Sequence, residues 1–239
     1  MVDLQNLDGM TNSSPRSYDF DGMEKLATAA NSIPIQPLNR SFFARAPSRV
    51  ARALLGKILV REGAVRLAAR IVEVEAYLGT NDPAAHTYAG HTPRNSVLFG
   101  PPGFAYVYFI YGNYYCLNVS CGREGKAGGG VLFRAVEPLL GMEEMARARG
   151  ISPLTPRDLP RLTSGPGRLA QAFGITRARD NGGDLTSPTS SLWLGEDGFR
   201  AKNIRTTPRI GITKAADRPL RFILAGNPFI SGKKRFSAT

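Results

Sequence analysis

Glu73, Glu75 and Tyr77 stand at every second position of the stretch Arg70-Ile-Val-Glu-Val-Glu-Ala-Tyr-Leu-Gly79. Ile71, Val72 and Val74 are β-branched and the run stops at a glycine, so the stretch reads as a strand. Side chains alternate along a strand, which puts two carboxylates and a phenol on one side and Val72, Val74 and Ala76 on the other. That polar face is either turned to water as ordinary solvated charge or held in a cleft, where a carboxylate can take a proton from water. Near a core, carboxylates cost free energy unless they are paired or used. A second strand, Val131 to Val136, carries Arg134 as its single charge. An arginine inside Val-Leu-Phe-Arg-Ala-Val must meet an anion or reach the surface.

Aromatic residues supply a second kind of chemistry. Phe104 to Ser120 reads as strand, turn, strand, with Gly112-Asn113 as the turn signal. Tyr106, Tyr108 and Ile110 share a face of the first strand, and Tyr111 and Tyr114 flank the tip. Strand tyrosines are mostly half-buried packing. Those beside a hairpin tip have no core to pack on, and in a basic chain they suit a stacking or wedging surface. A base stacked on an aromatic ring gains roughly 1–3 kcal/mol. Rotating it out of a duplex costs on the order of a few kcal/mol, so a stacking pocket and a wedge could together offset that cost.

Metal and nucleophile chemistry find less support. His86, His91, Cys116 and Cys121 could supply four zinc ligands, but Cys116-x4-Cys121 stands at the wide limit of the spacing in structural zinc sites. Along a strand, positions five apart also point to opposite faces. There is no Gly-x-Ser-x-Gly, no P-loop and no Gly-x-Gly-x-x-Gly opening a helix. No metal and no cofactor are expected. What remains is a carboxylate on one strand, an arginine on another, several aromatics, a histidine and a basic surface.

The chain of 239 residues carries a net charge of +12 and a pI near 10.2, a balance that favours polyanionic partners, nucleic acid above all. Two cysteines are too few for a disulfide framework and fit a reducing compartment. No apolar run is long enough to span a membrane, and the acidic N-terminus lacks the pattern of a signal peptide. A cytoplasmic, nucleoid-associated protein without a membrane partner is expected.

The positioning elements follow in order. Residues 1–36 read as a tail, partly disordered. Pro47 to Leu55 reads as a helix with Val50, Leu54 and Leu55 on one stripe, and a hairpin of Lys57 to Arg61 and Val65 to Glu75 follows. A polar loop from Thr80 to Asn95 holds both histidines. Pro138 opens an expected helix over Leu139 to Arg149, and Ile151 to Arg161 is loop-like. Ser164-Gly165-Pro166 starts another helix, with Ser164 as a plausible N-cap. Strands are expected near Leu192 to Leu194, Arg209 to Thr213 and Leu220 to Ala225. One domain over 37–230 precedes a basic C-terminal tail at 231–239.

Several blocks then occur in one order: Arg70 to Gly79, Ala84-Ala-His86, Thr92-Pro-Arg-Asn95, Tyr106-Val-Tyr108, Tyr111-Gly112, Asn118-Val-Ser120, Leu132-Phe-Arg-Ala-Val-Glu-Pro138 and Ser164-Gly-Pro166. Over about residues 40–230 the sequence resembles the 3-methyladenine DNA glycosylases of the alkyladenine (N-methylpurine) type. The resemblance implies a mixed α/β (α+β) single domain around a curved antiparallel β-sheet, with surrounding helices and a protruding β-hairpin that enters the DNA minor groove. It implies a monofunctional, monomeric glycosylase that acts on double-stranded DNA containing damaged purines, with no metal or cofactor. Glu75 matches the general base that activates water, and Arg134 a residue that helps hold that water and the base. Tyr77, His86 and Tyr108 match the residues that sandwich the flipped purine. The main-chain N–H at His86 matches a reader of the base edge. Asn118 matches the pocket residue that disfavours the exocyclic amino group of guanine, and Tyr111 the wedge that fills the gap in the stack. Asn113 departs from the apolar residue common at the hairpin tip, and His91 from a common basic residue. Glu73 fits the pattern but receives no role from it. A non-catalytic module that recognises distorted DNA through the same hairpin and basic face is the alternative; it predicts salt-sensitive binding without base release.

Overall fold

The computed structural model describes residues 34–232, apart from Tyr111, Asn113 and Pro153. The expected wedge Tyr111, the tip residue Asn113, most of the N-terminal tail and the last seven residues therefore lie outside the described residues. One antiparallel sheet dominates the fold. Its strands are β1 (Gln36–Pro37), β2 (Ile58–Arg61), β3 (Leu67–Tyr77), β4 (Ala105–Ile110), β5 (Tyr114–Cys121), β6 (Gly129–Leu140), β7 (Leu192–Glu196), β8 (Ile204–Thr207) and β9 (Arg221–Leu224). The main path runs β1-β7-β2-β3-β6-β5-β4, and β9 pairs with both β3 and β8. The sheet curls into a half-barrel, and with the five α-helices among the described residues it makes the single mixed α/β domain expected from the sequence.

Strand β3 is the axis of the site because its two halves have different partners on one edge. Leu67 to Arg70 pair with β2, whereas Glu73 to Glu75 pair with β9. The opposite edge pairs with β6, and the register there is irregular around Glu73. Val72, Val74 and Ala76 join the main core together with Val50 and Leu54 of α1 (Pro47–Leu54). The other side of β3 is not a water-facing surface: Glu73 and Glu75 are both 0% exposed. That choice between two readings of the alternation is settled by the loop that carries Ile210 and by the segment at Ser231, which close on the polar face.

Some boundaries differ from the sequence reading. Strand β6 continues through Pro138 to Leu140, which pairs with Ala68. The next helix, α2 (Met142–Ala148), opens after Gly141, whose φ of 76° makes the turn out of the strand. Pro138 sits beside a register shift at Ala68/Ala69, the kind of irregularity at which a residue without an N–H is tolerated in a sheet. A short helix, α3 (Leu159–Leu162), lies at the end of the expected loop. Helix α4 (Pro166–Ala172) has Gly165 rather than Ser164 at its cap, without a side-chain capping bond. The Ser164 hydroxyl donates instead to the carbonyl of Ile230, and the Gly165 N–H to that of Arg134. Helix α5 (Arg177–Asp180) completes the set. The strand expected over Arg209 to Thr213 does not form; β8 precedes it, and 208–219 is a loop folded over the site. Ser231, at the start of the stretch read as a basic tail, is buried.

Close backbone approach fixes the turn after β3. Gly79 has a φ of 79°, and a Cβ there would stand 1.7 Å from the carbonyl oxygen of Ala127. Only glycine fits, and the Thr80 N–H donates to that same carbonyl.

Candidate active site

Glu75 is held from three segments. The Ile210 N–H donates to its Oε1 at 2.8 Å, and the Arg134 guanidinium lies 3.1 Å from the same oxygen. The Tyr77 hydroxyl donates to Oε2 at 3.0 Å. A carboxylate oxygen accepts two hydrogen bonds, so Oε2 can take a further one from a water molecule. Burial works against the Arg134 charge, but Glu75 and Glu73 beside it outweigh that and raise its pKa above the ordinary arginine value. The guanidinium therefore stays a cation at any working pH. Burial, then the nearby Glu75 charge, pushes the Tyr77 phenol up, so it remains a donor.

The sheet register assembles the rest of the floor. Glu75 lies opposite Leu132, Leu132 opposite Asn118, and Asn118 opposite Tyr106. Opposed residues of antiparallel strands project from the same face, so this row carries Asn118 to the side on which Glu75 projects. Asn118 is nearly buried, and its Nδ2 donates to the Tyr106 carbonyl at 3.2 Å. Tyr108 pairs with Cys116 one step nearer the hairpin tip. Burial pushes the Cys116 thiol up to about 11, so it is a neutral thiol at neutral pH.

The loop between β3 and β4 brings in His86. Its ring meets Tyr108 edge-on at 4.4 Å between centroids, and its Nδ1 lies 2.9 Å from the Tyr106 hydroxyl. Burial, and then the charge of Arg94, hold the imidazole below its ordinary value. The loop is pinned from inside by Asn95. Its Nδ2 donates to the carbonyls of His86 and Gly90, both at 3.0 Å, and its Oδ1 accepts from the Thr92 N–H at 2.7 Å. Thr87 adds a bond to the Gly128 carbonyl.

Arg209 secures Tyr77 from behind. Its guanidinium lies 4.6 Å from the Tyr77 ring centroid and forms a fully buried, forked ion pair with Asp82 at 2.5 and 2.9 Å. A flat ring stacking on Tyr77 would use the opposite face. The Asp82 carboxylate also accepts from the N–H groups of Leu78 and Ala84, so it braces the turn that follows β3.

The expected site residues thus fall into two bonded groups joined by the sheet. Glu75, Tyr77 and Arg134 form one; His86 and Tyr108, with Tyr106, form the other; Asn118 lies between. Sequence reading missed Asn95, Asp82, Arg209, Arg221, Ser231 and the Ile210 N–H as members of the site. Only Asn95 carried a signal, since it closes the Thr-Pro-Arg-Asn block. His91 packs on Phe99 at 5.1 Å, away from Cys116, and among the described residues no three His, Cys, Asp or Glu side chains come together as a metal site.

A family model described as methylpurine-DNA glycosylase (MPG) matches residues 41–228. The chain is 61% identical over 201 residues to a relative from Koribacter versatilis, covering 84% of this chain and 95% of the relative. A relative from Rhodopseudomonas palustris is 51% identical over 197 residues, covering 82% and 90%. One from Alkaliphilus oremlandii is 46% identical over 204 residues, covering 82% and 99%. All three are named as 3-methyladenine DNA glycosylases.

Proposed function

The chain belongs to the methylpurine-DNA glycosylase family, an enzyme hydrolysing N-glycosyl bonds in DNA, and from that premise we propose which residues do the chemistry. A damaged purine leaves the duplex and enters the cleft between Tyr77 and the His86–Tyr108 pair. Glu75 accepts a proton from water through Oε2. The water oxygen bonds to C1′ as the C1′–N bond breaks, and its electron pair departs with the purine. An abasic site remains.

The observation that carries this reading is the asymmetry of Glu75. Oε1 is fixed by a main-chain N–H and a guanidinium, while among the described residues the Tyr77 hydroxyl is the donor on Oε2. A carboxylate anchored on one oxygen and with acceptor capacity left on the other is suited to act as a general base. It also stands beside a stacking ring, since Tyr77 is two residues along on the same strand face. Alkylated purines carry positive charge, so an electron-rich aromatic pocket favours them by cation–π attraction. Deaminated purines such as hypoxanthine are candidate substrates of the same pocket. Asn118 acts against the exocyclic amino group of guanine, and the His86 main-chain N–H reads the base edge. Tyr111 fills the gap left in the stack, and the net charge of +12 draws the enzyme to the phosphate backbone. The enzyme works as a monomer.

The test is base release from methylated duplex DNA. Glu75→Gln should abolish release and retain binding; full activity in that variant removes the proposal. Salt-sensitive binding with no release by the wild-type chain would favour a non-catalytic DNA-binding module. Tyr111→Ala should slow excision from paired sites more than from single strands, and equal slowing would reduce Tyr111 to packing.

A further inference from the structure

Glu73 is a buried carboxylate that the scheme above leaves unused. Oε1 accepts from Arg134 Nε at 2.8 Å, from Arg221 Nε at 2.6 Å and from the Ser231 hydroxyl at 2.8 Å. Oε2 accepts from the Ser231 N–H at 2.5 Å. Four donors from Arg134, Arg221 and Ser231 enclose the Glu73 carboxylate, which places it as a partner of those groups rather than against a substrate. It does hold the same guanidinium that touches Glu75. Arg134 reaches Glu73 through Nε and Glu75 through Nη1, so one planar group spans the two carboxylates. The far side of the network is closed by Ser231, whose hydroxyl accepts from Arg134 Nη2 and whose carbonyl accepts from Arg221 Nη2.

We propose that Glu73 is a positioning residue that orients Arg134 and balances its charge, so that Glu75 stays able to accept a proton from water. The inference rests on Glu75 being the base. Two carboxylates and two guanidiniums, Arg134 and Arg221, make a neutral buried set, where charges act strongly on one another. Without the Glu73 charge, both cations bear on Glu75 alone. A carboxylate facing two uncompensated guanidiniums gives up its charge reluctantly and is a weaker base.

The other groups facing Glu75 do not titrate in the range that matters. Tyr77 on its own strand is held protonated by burial and by Glu75 itself. Cys116 on β5 is pushed up to about 11. Arg209, from the loop after β8, is committed to Asp82 and held above its ordinary value. His86, on the loop after β3, is held below its ordinary value by burial and then by Arg94, so a limb is assigned by its movement in the charge-changing variants below.

The experiment is single-turnover base release from methylated duplex DNA as a function of pH, with DNA affinity and thermal unfolding measured on each variant. Glu73→Gln should bind DNA within about threefold of the parent and release base roughly 30–100-fold more slowly, part of what a positioned base contributes. Its acidic limb should move down by roughly one pH unit. Arg221→Gln removes a cation from the same carboxylate and should move the limb the opposite way, to higher pH. Ser231→Ala loses hydrogen bonds but no charge and should leave the limb in place. A purely structural Glu73 would lower the unfolding temperature and the rate at every pH alike, with both limbs unmoved, and that result overturns the proposal. If Glu73→Gln does not fold, the Arg221→Gln limb decides alone: an upward shift supports the proposal and no shift overturns it. Activity in Glu75→Gln would instead defeat the general-base reading itself, whereas an inactive Glu75→Gln with unmoved limbs defeats only the role of Glu73.

Discussion

The Tyr77 hydroxyl donates to Oε2 of Glu75 at 3.0 Å from two residues further along the same strand. In the proposed scheme one side chain therefore offers a stacking face to the purine and a donor to Glu75. Tyr77→Phe separates the two roles by keeping the ring and losing the donor. A hydrogen bond to a charged group is worth roughly 1.5–3 kcal/mol, so release should slow about tenfold or more. Affinity for damaged duplex should stay within about threefold, whereas Tyr77→Leu should lose both. Single-turnover kinetics and binding titrations on the two variants distinguish them.

Asn95 is placed to hold the histidine loop rather than to touch substrate. It is 2% exposed and bonds the carbonyls of His86 and Gly90 and the N–H of Thr92. Asn95→Ala strands those groups, at about 1–3 kcal/mol for each one left unsatisfied and buried. Amide exchange across residues 86–92 should accelerate, and base release should fall with it. Unchanged protection in the loop would remove Asn95 from the site.

Breaking the Asp82–Arg209 pair should be costly because both side chains are fully buried. Arg209→Met leaves an unpaired carboxylate inside and should destabilise the fold by about 3–5 kcal/mol. Burial pushes the Asp82 carboxyl up, but bonds from Arg209 and from the Leu78 and Ala84 N–H groups overcome it and hold it below its ordinary value. The sign follows from a folded pKa below the unfolded one. The stabilisation is complete above the ordinary carboxylate range and is lost as pH falls through the lowered folded value. Urea unfolding across acidic pH should show this loss in the parent and much less of it in Arg209→Met.

His86 should titrate below the ordinary histidine value of 6.5, because burial and Arg94 both oppose its charge. Its neutral form is the folded form, so its contribution to stability is present above that ordinary value and is lost as pH falls through the lowered one. Imidazole resonances followed by NMR give the midpoint directly. Arg94→Ala should raise that midpoint, and a midpoint unchanged by the substitution would place Arg94 too far away to act.

Local pattern in the sequence was enough for a good part of this. The alternation from Arg70 to Gly79 places Glu73, Glu75 and Tyr77 on one face whatever the rest of the chain does, because strand geometry sets that face. Gly112 and the tyrosine runs gave the hairpin β4–β5, and the ordered motif blocks gave the family. The isolated charge in Val131 to Val136 demanded an anion, and Glu73 and Glu75 meet it. What local pattern left open was whether the face of Glu73 and Glu75 met water. The covering residues come from far along the chain: Ser231 closes on Glu73 across 158 positions, and Ile210 reaches Glu75 across 135. Arg209 and Ile210 looked like part of a strand because short apolar-basic runs carry no mark of the loop they form. Tertiary structure alone decided that the two carboxylates are buried, that one arginine is shared between them, and that Oε1 of Glu75 is anchored by Ile210 and Arg134 while Oε2 accepts from Tyr77. The reason is physical: spacing along a strand fixes the direction of a side chain, but its partners are fixed by chain closure between segments that no local pattern relates.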